Sequence, residues 1–280
     1  MNTSRITFPL VLVLSIAVIG GALAALMANM VDLKASPIST AAPAANAGSL
    51  SGAVIYNPPK PEDAPKENRD AVMRGYDILT RAAELVPANV GNKLTCSNCH
   101  FDGGRNDFAL SLVGVAATYP KFRTRTNYST HLVSRVNECF ERSMNGKPLD
   151  PEGKEMQAVQ AYLHWIARGL PIYGEFPWLG IKRIKSEHKG DASHGKQLWA
   201  DRCSACHGGN GEGTLIAPPV WGAQAYNDGA GMHRVDNFAG FSLATMPKGT
   251  PDLKPDEAID IATFVHAQPR PHFVAAKHKN

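Results

Sequence analysis

Two short segments of the chain share one pattern: Cys96-Ser-Asn-Cys99-His100 and Cys203-Ser-Ala-Cys206-His207. No other feature of the 280 residues constrains the fold as tightly. Two thiols three residues apart, with a histidine directly after, form the attachment pattern of a c-type haem. The thiols bond to the two vinyl groups and the histidine lies beneath the ring, where it ligates the iron. A zinc site would need a second ligand pair at suitable spacing, and neither motif has one. The pattern therefore predicts two haem c groups, held by Cys96 and Cys99 and by Cys203 and Cys206, with His100 and His207 on the irons. Each haem then fills much of a small core, so each half needs little regular structure.

The flanking residues predict helices rather than strands. Asp70–Leu85 and Met156–Ala167 bracket the first motif. A stretch containing Gly195-Lys-Gln-Leu-Trp199 and the apolar run Ala258–Ala267 bracket the second. No period-2 run of any length suggests a strand. The expected class is all-α, with two cytochrome c-like domains at 67–170 and 191–280 joined by a linker at 171–190. The basic run Lys182, Arg183 and Lys185 within that linker reads as a solvated face.

Ahead of these domains, Ile6 to Ala28 is 23 residues without a charge, preceded by Arg5. That length reaches across a hydrocarbon core of about 30 Å. It is also longer than the usual apolar region of a signal peptide. Residues 1–31 are expected to be a signal peptide or an uncleaved membrane anchor. In either case the body is exported, so a periplasmic protein is expected, soluble after cleavage or held at the inner membrane by segment 6–28. Residues 32–66, rich in Ala, Ser and Pro, read as an extended spacer. The net charge of +4 is too mild for a nucleic-acid footprint, and no such partner is expected.

Five cysteines are present, and the motifs consume four. The residue on the far side of each iron sets the chemistry. For the second haem, Met246 lies 39 residues after His207 and precedes Pro247; Met232 and His233 are rivals. The same offset from His100 falls on Cys139, the fifth cysteine, with Met144 as the competing ligand. If Met144 binds, the protein is a plain electron carrier. If Cys139 binds, a thiolate enriches the iron in electron density and is itself a nucleophile. A buried inert thiol and an intermolecular disulfide are the bland alternatives. On a helix, Arg135 and Ser143 each lie one turn from Cys139 and Arg142 lies near the same face. Cations there favour the thiolate and could hold a small dianion beside it. Arg123 reads more simply as a propionate partner or a surface residue.

The segments Gly91–His100, Arg135–Lys147, Glu155–Ala158, Pro218–Gly222, Tyr226–Met232 and Met246-Pro247 together resemble the diheme thiosulfate dehydrogenases, also described as tetrathionate reductases. The resemblance covers roughly residues 70–268, and the stretch around Cys139 is its most specific part. It implies an active-site haem ligated by His100 and Cys139, and a relay haem ligated by His207 and Met246. It implies a substrate pocket lined by Arg125, Arg135, Ser143 and Lys147, with thiosulfate and tetrathionate as substrates and an external electron carrier as partner. In some members a lysine just before the second-haem methionine competes for the iron; Thr245 stands there in this chain, so that switch is not expected. Two rival classes remain: a non-catalytic diheme electron carrier, and a His/Cys-ligated sulfur-oxidation subunit acting on a carrier protein.

Overall fold

The structure is a computed structural model that describes residues 56–275. The apolar segment 6–28, with the membrane or export role expected of it, lies outside the described residues. Among the described residues no helix is long and apolar enough to cross a membrane.

The first domain is built on α1 (Lys66–Leu85) and α3 (Lys154–Ile166), which pack on each other. Val72, Gly75, Ile78, Leu79 and Ala82 recur at helical spacing and give α1 one buried face. Gly75 sits at the crossing with α3, where a Cβ would come within 2.1 Å of the Ala158 carbonyl oxygen. Only a residue without a side chain lets the two backbones approach this closely. The second domain repeats the device. Helix α4 (Ala192–Arg202) crosses α7 (Pro255–His266), and a Cβ on Gly195 would meet the Asp260 carbonyl oxygen at 2.0 Å. Helix α6 (Val235–Thr245) also packs on α7. The four helices anticipated from sequence are thus present, each with ends shifted by a few residues.

Three features depart from the sequence expectation. A two-stranded antiparallel hairpin, β1 (Lys121–Arg123) with β2 (Tyr128–Thr130), interrupts the helical first domain. Each strand is three residues long, too short for an alternating pattern to show. The end of the expected spacer is packed rather than extended free of the body. Tyr56 donates its hydroxyl to the Arg105 carbonyl at 2.6 Å, Trp165 Nε1 donates to the Lys60 carbonyl at 2.8 Å, and Ala64 is fully buried. The expected linker is anchored as well, since Trp178 donates to the Val113 carbonyl at 2.9 Å and stacks on Phe176. Proline-rich composition shows that a segment is extended, not whether aromatic side chains within it find a core. Lys182, Arg183 and Lys185 are exposed, as their charge suggests.

One carboxylate ties the second domain together. Asp260, nearly fully buried on α7, accepts from the Asp191 backbone N–H at 2.6 Å, His188 Nε2 at 2.5 Å and His194 Nδ1 at 2.8 Å. Burial works to raise its pKa, but these three donors prevail and hold it below the usual carboxylate value. The bond to Asp260 correspondingly raises His188. The signs set a pH window. The Asp260 contribution is present above the unfolded carboxylate value of about 4 and is lost as pH falls. The His188 contribution is full below about pH 6.5 and is lost as pH rises through its raised value. This cluster is therefore expected to contribute most to stability between about pH 4 and 6.5. Asp260→Asn should lower the melting temperature by roughly 5–10 °C in that window and flatten its pH dependence.

Candidate haem sites and a cationic cavity

The two motifs are set up alike. Cys96–Asn98 form one turn of 3-10 helix, closed by the Asn98 side chain accepting from the Thr95 N–H at 2.6 Å. His100 Nδ1 lies 2.5 Å from the Leu110 carbonyl, and His207 Nδ1 lies 2.8 Å from the Pro218 carbonyl. A carbonyl can only accept, so each Nδ1 carries the proton and each Nε2 lone pair is free for a metal. Burial lowers His100 to about 4 and lowers His207 in the same direction, which keeps both rings neutral. A neutral imidazole aimed by a backbone carbonyl is what an iron ligand requires.

The walls fit the same group. A cavity of about 270 Å³ beside Cys203, Cys206 and His207 is lined by Trp199, Val220, Phe238, Phe241 and Ile261, with Met246 on its wall. Most of this lining is apolar, and such surface gains from being covered by an apolar group. The cavity, with this lining beside two thiols and an aimed histidine, fits a haem held by Cys203, Cys206 and His207. Met232 also lines it, whereas His233 instead faces His266 at 5.1 Å. Ser97, Asn98 and Cys99 of the first motif, and Phe101 just after it, also line the wall. The two motifs therefore share a boundary. Phe101 meets Phe241 edge to face across it at 5.9 Å, and the Lys248 ammonium lies 4.9 Å above the Phe101 ring.

Cys139 sits on helix α2 (Leu132–Arg142) and is partly buried. It is close enough to Cys96 and Cys99 for its charge to act on both thiols, whose pKa values are raised by burial first and by Cys139 next. Arg135, one helical turn earlier, donates Nη1 to the Cys139 sulfur at 2.8 Å. The sulfur's charge outweighs burial and raises the guanidinium, so Arg135 stays cationic against it. Met144, the competing ligand, is 2% exposed within the hydrophobic core.

Beside Cys139 opens a second, polar cavity of about 450 Å³. Arg123, Arg125, Arg135, Arg142 and Arg234 line it, together with Ser143 and a single acid, Glu138. The hairpin brings in Arg123 and Arg125, which explains its place in an otherwise helical domain. Arg123 pairs with Glu138 at 2.5 Å instead of standing at the surface. Lys147 is exposed and is not among the lining residues.

The second domain closes this cavity through Gly231, Arg234 and Asn237. Its position is set by Asn227, which is fully buried. The Asn227 backbone N–H donates to the Arg142 carbonyl at 3.1 Å. Its amide donates to the Glu141 carbonyl at 2.9 Å and to Asn145 Oδ1 at 3.1 Å, and its own oxygen accepts from the Gly229 N–H at 3.1 Å. Asn92 adds a second tie, donating to the Ser143 and Ala225 carbonyls at 2.9 and 3.1 Å. Sequence reasoning missed Asn227 because a lone polar residue in a glycine-rich turn carries no local mark of what it will reach.

Two small helical domains, each presenting a C-x-x-C-H turn and an aimed histidine, define a two-domain c-type cytochrome. Comparison with known proteins agrees. The family described as SoxA/TsdA, cytochrome c domain, matches residues 84–172, and cytochrome c matches residues 192–268. A thiosulfate dehydrogenase of Allochromatium vinosum is 38% identical over 215 residues, covering 73% of this chain and 80% of the relative. One of Psychrobacter arcticus is 36% identical over 208 residues, covering 72% of this chain and 64% of the relative. A solved thiosulfate dehydrogenase (TsdBA) from Marichromatium purpuratum superposes with a TM-score of 0.76 at 32% identity, over 80% of this chain and 51% of that one. The chain belongs to the thiosulfate dehydrogenase family of cytochromes c. It spans under two-thirds of the length of the Psychrobacter relative and about half of the Marichromatium chain.

Proposed function

We propose that this protein is a periplasmic thiosulfate dehydrogenase that couples two thiosulfates to tetrathionate, or runs the reverse, at a His/Cys-ligated haem. The observation that carries the reading is Cys139, the one cysteine outside the two motifs, hydrogen-bonded by Arg135, which itself lines a cavity of arginines. Cys96 and Cys99, and Cys203 and Cys206, would each hold one haem c. His100 with Cys139, and His207 with Met246, would ligate the irons. When bound, the haems supply one-electron acceptors for the two electrons that the coupling releases.

The protein groups act as follows. Two dianions repel, and the cationic cavity at Arg125 and Arg135, with Ser143 beside them, lowers the cost of bringing them together. The Cys139 thiolate bonds to the sulfane sulfur of one thiosulfate, giving Cys–S–S–SO3⁻ as two electrons leave. The sulfane sulfur of the second thiosulfate attacks that of the adduct, tetrathionate departs, and Cys139 returns as thiolate. Arg135 stabilises the sulfur in its anionic form at the start and end of the cycle. The wall shared by the two motifs gives electrons a short route from first site to second, and from there to an external carrier, in the soluble phase or at the membrane according to whether segment 6–28 is kept. A plain electron carrier would have no use for an arginine-lined cavity beside its iron. The direct assay supplies thiosulfate and a dye acceptor to the holoprotein. Dye reduction with tetrathionate formed at one per two thiosulfates is expected; a protein that carries both haems yet leaves thiosulfate untouched would overturn the reading.

A further inference from the structure

The cavity holds more guanidinium groups than one role explains, and their partners separate them. Arg123 is paired with Glu138. Arg234 makes a two-pronged bond to Asp236 at 3.2 and 3.1 Å. Arg135 is engaged with the Cys139 sulfur. Among the described residues, neither Arg125 nor Arg142 has a carboxylate within salt-bridge distance. Instead, both donate Nη1 to one atom, the Gly229 carbonyl oxygen of the second domain, at 3.0 and 3.3 Å. They come from different elements, the hairpin loop and the last residue of α2, and are drawn together against their mutual repulsion. That repulsion shows in Arg125, whose pKa is lowered by burial and then by Arg142.

Arg142 is also fixed in orientation. Its guanidinium stacks 4.0 Å from the centroid of Phe273 in the C-terminal segment, and its Nε is buried with no protein partner. The segment carrying Phe273 is in turn held by Asp228, which accepts from the Phe273 N–H at 2.7 Å and lies 2.5 Å from His272 Nδ1. Asp228 is thereby engaged by the backbone and His272, as Glu138 is by Arg123. A buried N–H without an acceptor is costly, and Arg142 Nε is one. Arg125, which is exposed, and the half-buried Arg142 converge on one carbonyl and form a fork suited to a tetrahedral oxyanion.

We propose that Arg142, together with Arg125, forms a dianion subsite whose geometry is set by the second haem domain through the Gly229 carbonyl, and that it binds the sulfonate end of the thiosulfate not attached to Cys139. The assignment of thiosulfate rests on the function proposed above; the subsite itself does not. The division of labour follows from charge. Arg135 serves the reacting sulfur, while the Arg125–Arg142 pair carries about two positive charges, enough to neutralise one incoming dianion. The second domain then has two tasks, relaying electrons and closing the binding site.

The test titrates oxidised holoprotein with sulfate, an unreactive dianion, by calorimetry at low ionic strength, where such contacts are least screened. Sulfate should bind the wild type, and Arg142→Gln should weaken it by about tenfold or more, the value of one charge-assisted hydrogen bond. Arg168→Gln, an equal loss of charge outside the cavity, should change it by less than about twofold. Arg125→Gln carries the same expectation as Arg142→Gln and serves if the latter does not fold. With thiosulfate as substrate, both should raise KM more than they lower kcat. No binding of sulfate to the wild type, or weakening below about threefold in both variants, overturns the proposal. Sulfate binding that depends on Arg142 in a protein that does not oxidise thiosulfate upholds the subsite and rejects the proposed reaction.

Discussion

Cys139→Ala holoprotein is expected to carry both haems and to lose tetrathionate formation by about a thousandfold or more. The four motif cysteines and both histidines are untouched, so haem content measured by pyridine haemochrome should equal that of the wild type. The absorption and electron paramagnetic resonance signature of the first haem should change, because the thiolate ligand proposed for it is gone, while that of the second haem stays. Arg135 loses the partner it holds at 2.8 Å and should then be free to bind anions in its place. Weak binding of thiosulfate is thus expected to survive where turnover does not, separating the role of the sulfur from that of the cations. Retained turnover in this variant would mean that Cys139 is only a ligand or a bystander.

The second large effect is expected at a residue that touches no substrate. Asn227→Ala removes two side-chain donors and one acceptor from a fully buried site joining the second domain to the end of α2. The Glu141 carbonyl, Asn145 Oδ1 and the Gly229 N–H all lose a partner. Leaving such groups unsatisfied costs about 2–4 kcal/mol. Gly229 carries the carbonyl that Arg125 and Arg142 share, so the same change disorders the anion subsite. A lowered melting temperature should be accompanied by a KM for thiosulfate raised by about tenfold, with both haem spectra unaltered. An unchanged KM in a destabilised protein would show that the interface matters for folding but not for binding.

The two effects mark where the sequence is informative and where it stops. The haem attachment pattern is local: five consecutive residues state it, and the helices that flank it carry their apolar periodicity openly. The pairing of Cys139 with Arg135 was also legible, since both lie on one helix one turn apart. Arg142 was visible as a third cation near that face, but not its isolation from any carboxylate, which depends on where Glu138, Asp228 and Asp236 spend their charge. The pairing of Arg123 with Glu138 was not legible for the same reason, because the two lie on different elements. The hairpin was too short to show a period. Lys147, which the family resemblance placed near the substrate, is exposed outside the cavity, as the chain turns away after Ser143 at the end of α2. The bonds that Asn227 and Gly229 make across the domain boundary depend on residues more than eighty positions away, which no local pattern announces.

Trapping the Cys139 adduct tests the central claim most directly. Oxidised holoprotein mixed with tetrathionate should undergo simple displacement at the thiolate, releasing thiosulfate and leaving Cys–S–S–SO3⁻, with no electrons required. Intact-mass and peptide analysis should find one S2O3 unit added on the peptide containing Cys139, absent in Cys139→Ala and removed when thiosulfate is supplied. A wild-type protein that turns over thiosulfate yet acquires no adduct on that peptide would contradict the assignment of Cys139 as the sulfur-carrying nucleophile.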